Sequence, residues 1–429
     1  MNGLKTNNAP HSSVVIPHFI FGGFSFLLLG ILIILADTTL FEAYFNGKII
    51  AITHIAVLGW ATMIVFGALY QLIPVVFETS LYSEKLAKFT FWISAISVLY
   101  LTFSFWIGAF TTHLVYASGG MFLSLFLFVV NVLLSYRKSE IKNISSKFII
   151  AAVFWLSITE LVGTLIAFNF KFNFFNEIHL HYLKIHASLG LVGWFLLLII
   201  GVGSTLIPMF LISHNLNKNK LVVSFFSINA GLLGLILNWL IFKIDIVTLV
   251  CWALIAIGIL VFVSYIFDSY KKRIRKKLDV GMKYTMLSIA SVILPIIVSF
   301  ILLVVFEIEY ELLYRVTTFY GFSVILGFIT TLILGQTYKT LPFIVWLEKY
   351  KNLVGKVKTP LPRELYSENI AKVQFYSYII SIICLAIGLI LKNNIALKIG
   401  SFSLLLVAVL YNINVLKIIF HKVKNIENE

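Results

Sequence analysis

The stretch THIAVLGWATMIVFGALYQLIP, Thr53–Pro74, decides the fold. It contains no Asp, Glu, Lys or Arg, and as a helix it is about 30 Å long, enough to cross the hydrocarbon layer of a bilayer. Trp60, Gly67 and Pro74 recur at intervals of seven and so return to nearly one face. Small residues on such a face let helices approach closely, and a proline at the far end bends or finishes the helix. The stripe reads chiefly as the packing surface of a central helix, with a flat ligand lying over the glycines as the other reading.

The stretch is repeated. Gly59–Trp60, Gly67 and Pro74 match Gly193–Trp194, Gly201 and Pro208, and then Gly327–Phe328, Gly335 and Pro342, with successive copies 134 residues apart. A gap-free offset occurring twice marks a repeated unit of about four helices. Twelve spans follow along the chain, at approximately 16–36, 50–76, 90–112, 119–136, 147–168, 184–212, 223–242, 246–267, 285–306, 316–346, 373–391 and 396–419. The expected fold is all-α: a polytopic membrane protein forming a single membrane domain over residues 1–429, with three approximate four-helix units centred on spans 2, 6 and 10.

Composition agrees with this. Of 429 residues, 60% are hydrophobic and only 12% charged. The net charge of +15 would suggest nucleic acid in a soluble chain, but its placement follows the positive-inside rule. With the N-terminus inside, only Lys48, Lys171, Lys184, Lys243, Arg315, Lys392 and Lys398 fall outside among 33 Lys and Arg. Both termini are therefore expected in the cytoplasm, with membrane lipid as the partner of the basic loops and no nucleic acid. The first span lacks the cleavage pattern of a removed signal and is expected to be retained. Cys251 and Cys384 lie in apolar runs, form no CxxC, and read as packing residues. The connector from about Leu347 to Lys372 carries prolines, and its weakly amphipathic part around Leu361–Ala371 can lie along the membrane surface. The C-terminal HKVKNIENE reads as a polar tail.

The histidines narrow the chemistry. His54 stands in the first turns of span 2 and His186 near the matching end of span 6, where an unpartnered imidazole would be costly. With the glycine motifs in register, His186 falls opposite Ile52, so the two rings turn to nearly opposite faces of equivalent helices. Span 10 places Tyr320 at the position of His186 and Phe322 at that of His54. Both histidines suit a shared cofactor or, alternatively, hydrogen bonds to nearby carbonyls.

Twelve spans in three units, an outer-end histidine on helix 2 and a run ending Gly–x–x–Tyr–x–x–x–Pro resemble subunit I of the heme-copper oxidase superfamily, in its cbb3-type and nitric oxide reductase-like branch. The resemblance implies a pseudo-threefold bundle in a bacterial cytoplasmic membrane, with His54 as an axial ligand of one low-spin heme b. His186 is then the candidate second ligand, and Arg315 is placed to contact a propionate. The family's helix 10 His–x–His falls on Tyr320, Gly321 and Phe322, and span 7, VVSFFSINAGLLGLILNWLIF, has no copper histidines. Oxygen or nitric oxide reduction needs that lost second-metal set. What the resemblance leaves is electron transfer, sensing or respiratory assembly, with a respiratory or assembly partner subunit or a homo-oligomer as company. The alternative is a heme-free permease or assembly factor on the same scaffold.

Other groups carry two readings each. In NEIHLHYLKIH, Asn176–His186, His181 and His186 with His113 form a candidate outer metal site, although loop histidines are commonly just solvated. His179 and His181 share a face if the segment is extended and oppose one another if it is helical. Glu160, near the middle of span 5, is either a proton-handling group or an acceptor for nearby hydroxyls. Asn229 and Asn238 on span 7 suit a polar seam or structural amide bonds. Tyr70 and Gln71 correspond to Ser204 and Thr205 and to Tyr338 and Lys339, with Gln336 nearby. This inner layer can bind an anion or gate a proton or substrate path, or it can reflect snorkelling at the interface. Glu307, Glu309 and Glu311 suit a weak docking patch for a basic partner or a solvated loop.

Overall fold

The computed structural model describes residues 9–140, 142–304 and 309–423; Glu307 and residues 424–429 of the polar tail lie outside the described residues. Every regular element among the described residues is helical. Twelve helices are long and apolar enough to cross a membrane: α1 (Ser12–Phe41), α2 (Gly47–Val76), α3 (Glu84–Trp106), α4 (Thr112–Arg137), α5 (Ile144–Phe172), α6 (His179–Leu211), α7 (Asn219–Phe242), α8 (Asp245–Lys271), α9 (Val280–Val304), α10 (Tyr310–Leu353), α11 (Glu368–Leu391) and α12 (Asn394–Ile419). The chain is an all-α, multi-pass membrane protein.

Polar residues set the helix starts. Asn46, Ser83, Asn143, Asp279, Ser367 and Asn393 each accept a backbone N–H from the first turn of α2, α3, α5, α9, α11 and α12. Asn173, Lys243 and Lys392 end α5, α7 and α11 in the left-handed region, at φ 46°, 55° and 53°.

Two expected boundaries move. Hydropathy carries span 3 to residue 112, but α3 stops at Trp106 because Gly108 turns the chain at φ 71°, and Thr112 opens α4. The segment 361–371 is divided between two elements. The α-helix of α10 runs on to Tyr350, a 3-10 turn occupies Pro362–Leu365, and α11 begins at Glu368. Leu365 is fully buried, and Trp346 Nε1 donates to Pro360 O at 2.6 Å, so the connector is pinned to the protein.

The chain divides into two compact units, Met1–Ala9 with Leu72–Lys277 and Pro10–Gln71 with Leu278–Glu429. In the first, α3 packs on α4, α4 on α5, α5 on α6 and α7 on α8. In the second, α1 packs on α2 and α12, α9 on α10, and α11 on α12.

The sequence repeat reappears as a local backbone device. Three π-helical segments, Ile55–Thr62, Leu189–Leu196 and Ser323–Thr330, interrupt α2, α6 and α10 at the same repeat position. Each contains the Gly–aromatic pair. Such i→i+5 segments are uncommon and often sit at functional positions.

The second glycine of each copy is seated against the preceding helix in the same way. A Cβ on Gly67 would come within 2.8 Å of His18 Cβ, one on Gly201 within 2.8 Å of Phe148 Cβ, and one on Gly335 within 2.8 Å of Tyr284 Cβ. His18, Phe148 and Tyr284 are therefore equivalent positions on α1, α5 and α9. The first glycine differs between copies. Gly59 meets Ser25 and Gly193 meets Trp155, whereas Gly327 has nothing within 4 Å of where its Cβ would stand. The packing reading holds for five of these six glycines and fails at Gly327.

An asparagine clamp joins two helix pairs. Asn131 on α4 accepts from Ser83 N and donates to Ser83 O, at 3.1 and 2.9 Å, while Asn414 on α12 repeats this with Ser367 at 3.0 and 3.2 Å. Both amides are fully buried. Asn131→Ala strands two backbone groups at once, so thermal unfolding in detergent is expected to show a loss of about 2 kcal/mol. An unchanged melting point would mean that the clamp contributes nothing to stability.

Candidate functional site

His54 ends the α-helical first part of α2, directly before the first π segment. Its ring is half-buried and Nδ1 lies 2.8 Å from Ile50 O. A carbonyl can only accept, so Nδ1 carries the proton and the lone pair resides on Nε2. That is the tautomer a metal or heme iron takes, with the backbone bond fixing ring orientation.

His186 reaches the same tautomer differently. Its Nδ1 lies 2.9 Å from Thr159 O on the neighbouring α5, and the ring covers Gly163 so closely that a Cβ there would come within 2.6 Å of Cε1. His54 and His186 belong to different units. A third histidine, His18, is fully buried on α1 with Nδ1 2.8 Å from Val14 O and its ring edge-on to Tyr70 at 5.6 Å. Nothing in the sequence gives His18 a role; its signal is its place against Gly67, visible only once α1 and α2 are paired.

On α10, Tyr320 is half-buried, Gly321 has open space beside it and Phe322 stacks on Phe319 at 6.0 Å. Arg315 donates from Nη1 to Ile390 O at 2.8 Å, near the end of α11.

The expected outer metal trio is not assembled. Among the described residues no three His, Cys, Asp or Glu side chains are grouped to hold an ion. The physical cause is register and competing partners. His113 is exposed and bonds Tyr100 Oη at 2.9 Å, while His186 is turned to α5. The segment from His179 is helical, so His179 and His181 point apart. His179 stacks on Phe170 at 4.3 Å and bonds Asn169, and His181 meets Tyr182 edge-on. In the loop before it, Glu177 pairs with Lys243 at 2.6 Å, which holds its carboxyl below the usual carboxylate range.

Glu160 is 7% exposed and its Oε1 has no hydrogen-bond partner among the described residues. The reading as an acceptor for nearby hydroxyls therefore fails for that oxygen: Thr159 Oγ1 donates to Trp155 O and Ser157 Oγ to Val153 O instead. Asn229 accepts from Trp155 Nε1 at 2.9 Å and Asn238 bonds Thr248 and the Ile244 backbone, so both are structural amides. A buried carboxyl oxygen without a donor is a stability cost. Glu160→Leu is expected to raise the midpoint of thermal unfolding, by about 1–3 kcal/mol in stability. A lower midpoint would show that the carboxyl is satisfied in the folded protein.

At the other end of the repeated helices the polar layer separates by repeat. Tyr70 is fully buried beside His18, and Gln71 is half-buried. Ser204 bonds Ser145 at 2.8 Å, and Thr205 bonds the same hydroxyl at 3.1 Å. Lys339 does not snorkel: its side chain is 9% exposed and paired with Asp279. Gln336 Nε2 donates to Thr285 Oγ1 at 2.8 Å, and Tyr338 donates to Gln374 while accepting from Asn414 Nδ2 at 3.1 Å. Gln374, Asn414 and Tyr284 belong to no sequence-based site, because no spacing rule links α9, α11 and α12. No protein-family model matches the chain, and no curated protein matches it.

Proposed function

We propose that this chain is a divergent heme-copper-oxidase-subunit-I-like protein of a bacterial cytoplasmic membrane, with both termini inside, that binds one heme b through His54. Its role on this reading is electron transfer, sensing or respiratory assembly, in company with a partner subunit or a second copy. The observation that carries it is the His54 ring, oriented by its Nδ1–H to Ile50 O at 2.8 Å, which puts on Nε2 the lone pair that an axial ligand uses. His186 has the same Nδ1-to-carbonyl arrangement and remains the sequence-derived candidate for the second ligand. A bound heme supplies a one-electron couple; the chain supplies the oriented imidazole and the surrounding apolar helices. Oxygen and nitric oxide reduction are disfavoured by the residues themselves, since Tyr320, Gly321 and Phe322 replace the helix 10 ligands and α7 has no histidine.

The test is purification in mild detergent with an optical spectrum and metal analysis. One heme per chain is expected, with low-spin bands lost or shifted in His54→Ala and next in His186→Ala. Reduction with added carbon monoxide then separates a six-coordinate heme from an open site. A folded, heme-free preparation obtained with its native partners would overturn the proposal. It would favour the second reading, a permease or assembly factor, for which the buried Glu160 carboxyl in α5 is the supporting observation.

A further inference from the structure

A cavity of about 660 Å³ opens where the end of α1, the start of α10 and the turn between α11 and α12 come together. That volume is typical of small-molecule sites. Asp37, at φ 43°, ends the α-helical part of α1, and the 3-10 turn Asp37–Phe41 packs on both α10 and α12. The walls are Phe41, Glu42, Tyr310, Glu311, Tyr314 and Lys392, all within one compact unit.

The walls combine aromatic rings with an excess of negative charge. Lys392 Nζ pairs with Glu311 at 2.5 Å, whereas Glu42 Oε2 accepts from a neutral donor, Asn46 Nδ2, at 2.9 Å. Two carboxylates therefore face one cation. Phe41 is buried, Tyr310 stands exposed at the mouth, and Tyr314 is flanked edge-on by Tyr44 at 6.2 Å and Phe45 at 5.8 Å. A ring face attracts a cation within about 6 Å of its centre, most strongly a weakly hydrated organic one. Leu391 and Ile395, beside the turn, are exposed apolar side chains, as expected where a membrane protein meets lipid.

We propose that this cavity binds an organic ammonium group, held by the Glu42 carboxylate against the rings of Tyr310 and Tyr314. The apolar rim favours a lipid as its carrier. An aminophospholipid places its ammonium group in the cavity, its phosphate beside Lys392 and Asn394, and its acyl chains along Leu391 and Ile395. A free amine uses the same carboxylate and rings without the rim. The site is independent of heme, since it shares no residue with the His54 and His186 positions.

Two measurements on the full-length protein test it. In the first, delipidated protein in detergent is mixed with equal amounts of dioleoyl-phosphatidylethanolamine and dioleoyl-phosphatidylglycerol, and bound lipid is read by native mass spectrometry. One phosphatidylethanolamine per chain is expected, with affinity reduced about tenfold in Glu42→Gln and in Tyr314→Leu, and unchanged in Glu177→Gln, which removes a carboxylate outside the cavity. Ethanolamine is then added at the lipid's concentration. Displacement of the lipid supports the site with a free amine as its ligand, and retention supports it with the lipid. No preference over phosphatidylglycerol, or equal binding by the Glu42 and Tyr314 variants, would overturn the site. In the second, hydrogen exchange of the unsubstituted protein is expected to slow over 38–46 and 310–314 when phosphatidylethanolamine, but not phosphatidylglycerol, is added. Exchange that responds equally to both lipids would overturn the proposal without depending on any variant folding.

Discussion

Gly335→Val is expected to leave little folded protein, whereas Gly327→Ala should fold and melt like the parent. Both glycines belong to the third copy of the repeated motif and look alike in sequence. A Cβ on Gly335 would stand 2.6 Å from Gly281 O, 2.8 Å from Tyr284 Cβ and 3.1 Å from Thr285 N. Two of these are backbone atoms of α9, which cannot rotate away, so α9 and α10 would have to separate along their contact. Overpacking of this kind costs about 3 kcal/mol or more. Gly327 has nothing within 4 Å of its Cβ position, and exchanging Gly for Ala in a helix gains up to about 1 kcal/mol in propensity. Thermal unfolding of the two variants in detergent, with yield of monodisperse protein, makes the comparison. Equal behaviour would mean that the glycine stripe does not act through helix contact.

Trp60→Ala is expected to cost about 3–5 kcal/mol, the range for emptying a buried aromatic site. Trp60 is 0% exposed, stacked on Phe26 at 4.5 Å, edge-on to Tyr411 at 5.0 Å, and donates from Nε1 to Thr330 Oγ1 at 3.1 Å. One side chain thus ties α1, α10 and α12 to α2. Trp60→Phe keeps most of the ring contact and removes the hydrogen bond, so it should cost about 1 kcal/mol beyond the lost area. Denaturation of both variants, followed by Tyr and Trp fluorescence and by far-UV circular dichroism, orders them. If Trp60→Ala unfolds with the parent, the aromatic cluster is not what joins these helices.

The repeat is legible along the chain because a fixed 134-residue offset survives in the order of residues. Its backbone consequence is not. Each copy adopts a π segment, and a π segment depends on where released carbonyls find new donors. On α10 these come from another helix: Ser291 Oγ donates to Gly327 O and Ser288 Oγ to Phe328 O, at 2.7 and 2.8 Å. The histidines show the same division. Their depth is readable from hydropathy, but the acceptor of each Nδ1 is not. For His54 it is its own helix, and for His186 it is α5.

Lys339 shows why polar positions near helix ends mislead. Its place in the sequence suits snorkelling, yet Asp279, 60 residues earlier, lies beside it and caps α9 at the same time. Glu160 is recognisable from hydropathy as a carboxyl at membrane depth. The partner it meets, the backbone of Phe126 on α4, depends on how α4 and α5 pack.

The sequence by itself determined the number of membrane helices, the threefold repeat and the positions of His54 and His186, since these depend on hydrophobic length and on periodicity along the covalent chain. Only the tertiary structure decided which glycines are contact points, which imidazole nitrogen is turned to a carbonyl, and that Tyr338, Gln374 and Asn414 meet within one helix cluster. Those properties are set by hydrogen-bond partners and close approaches between helices distant in sequence, and no local pattern encodes them.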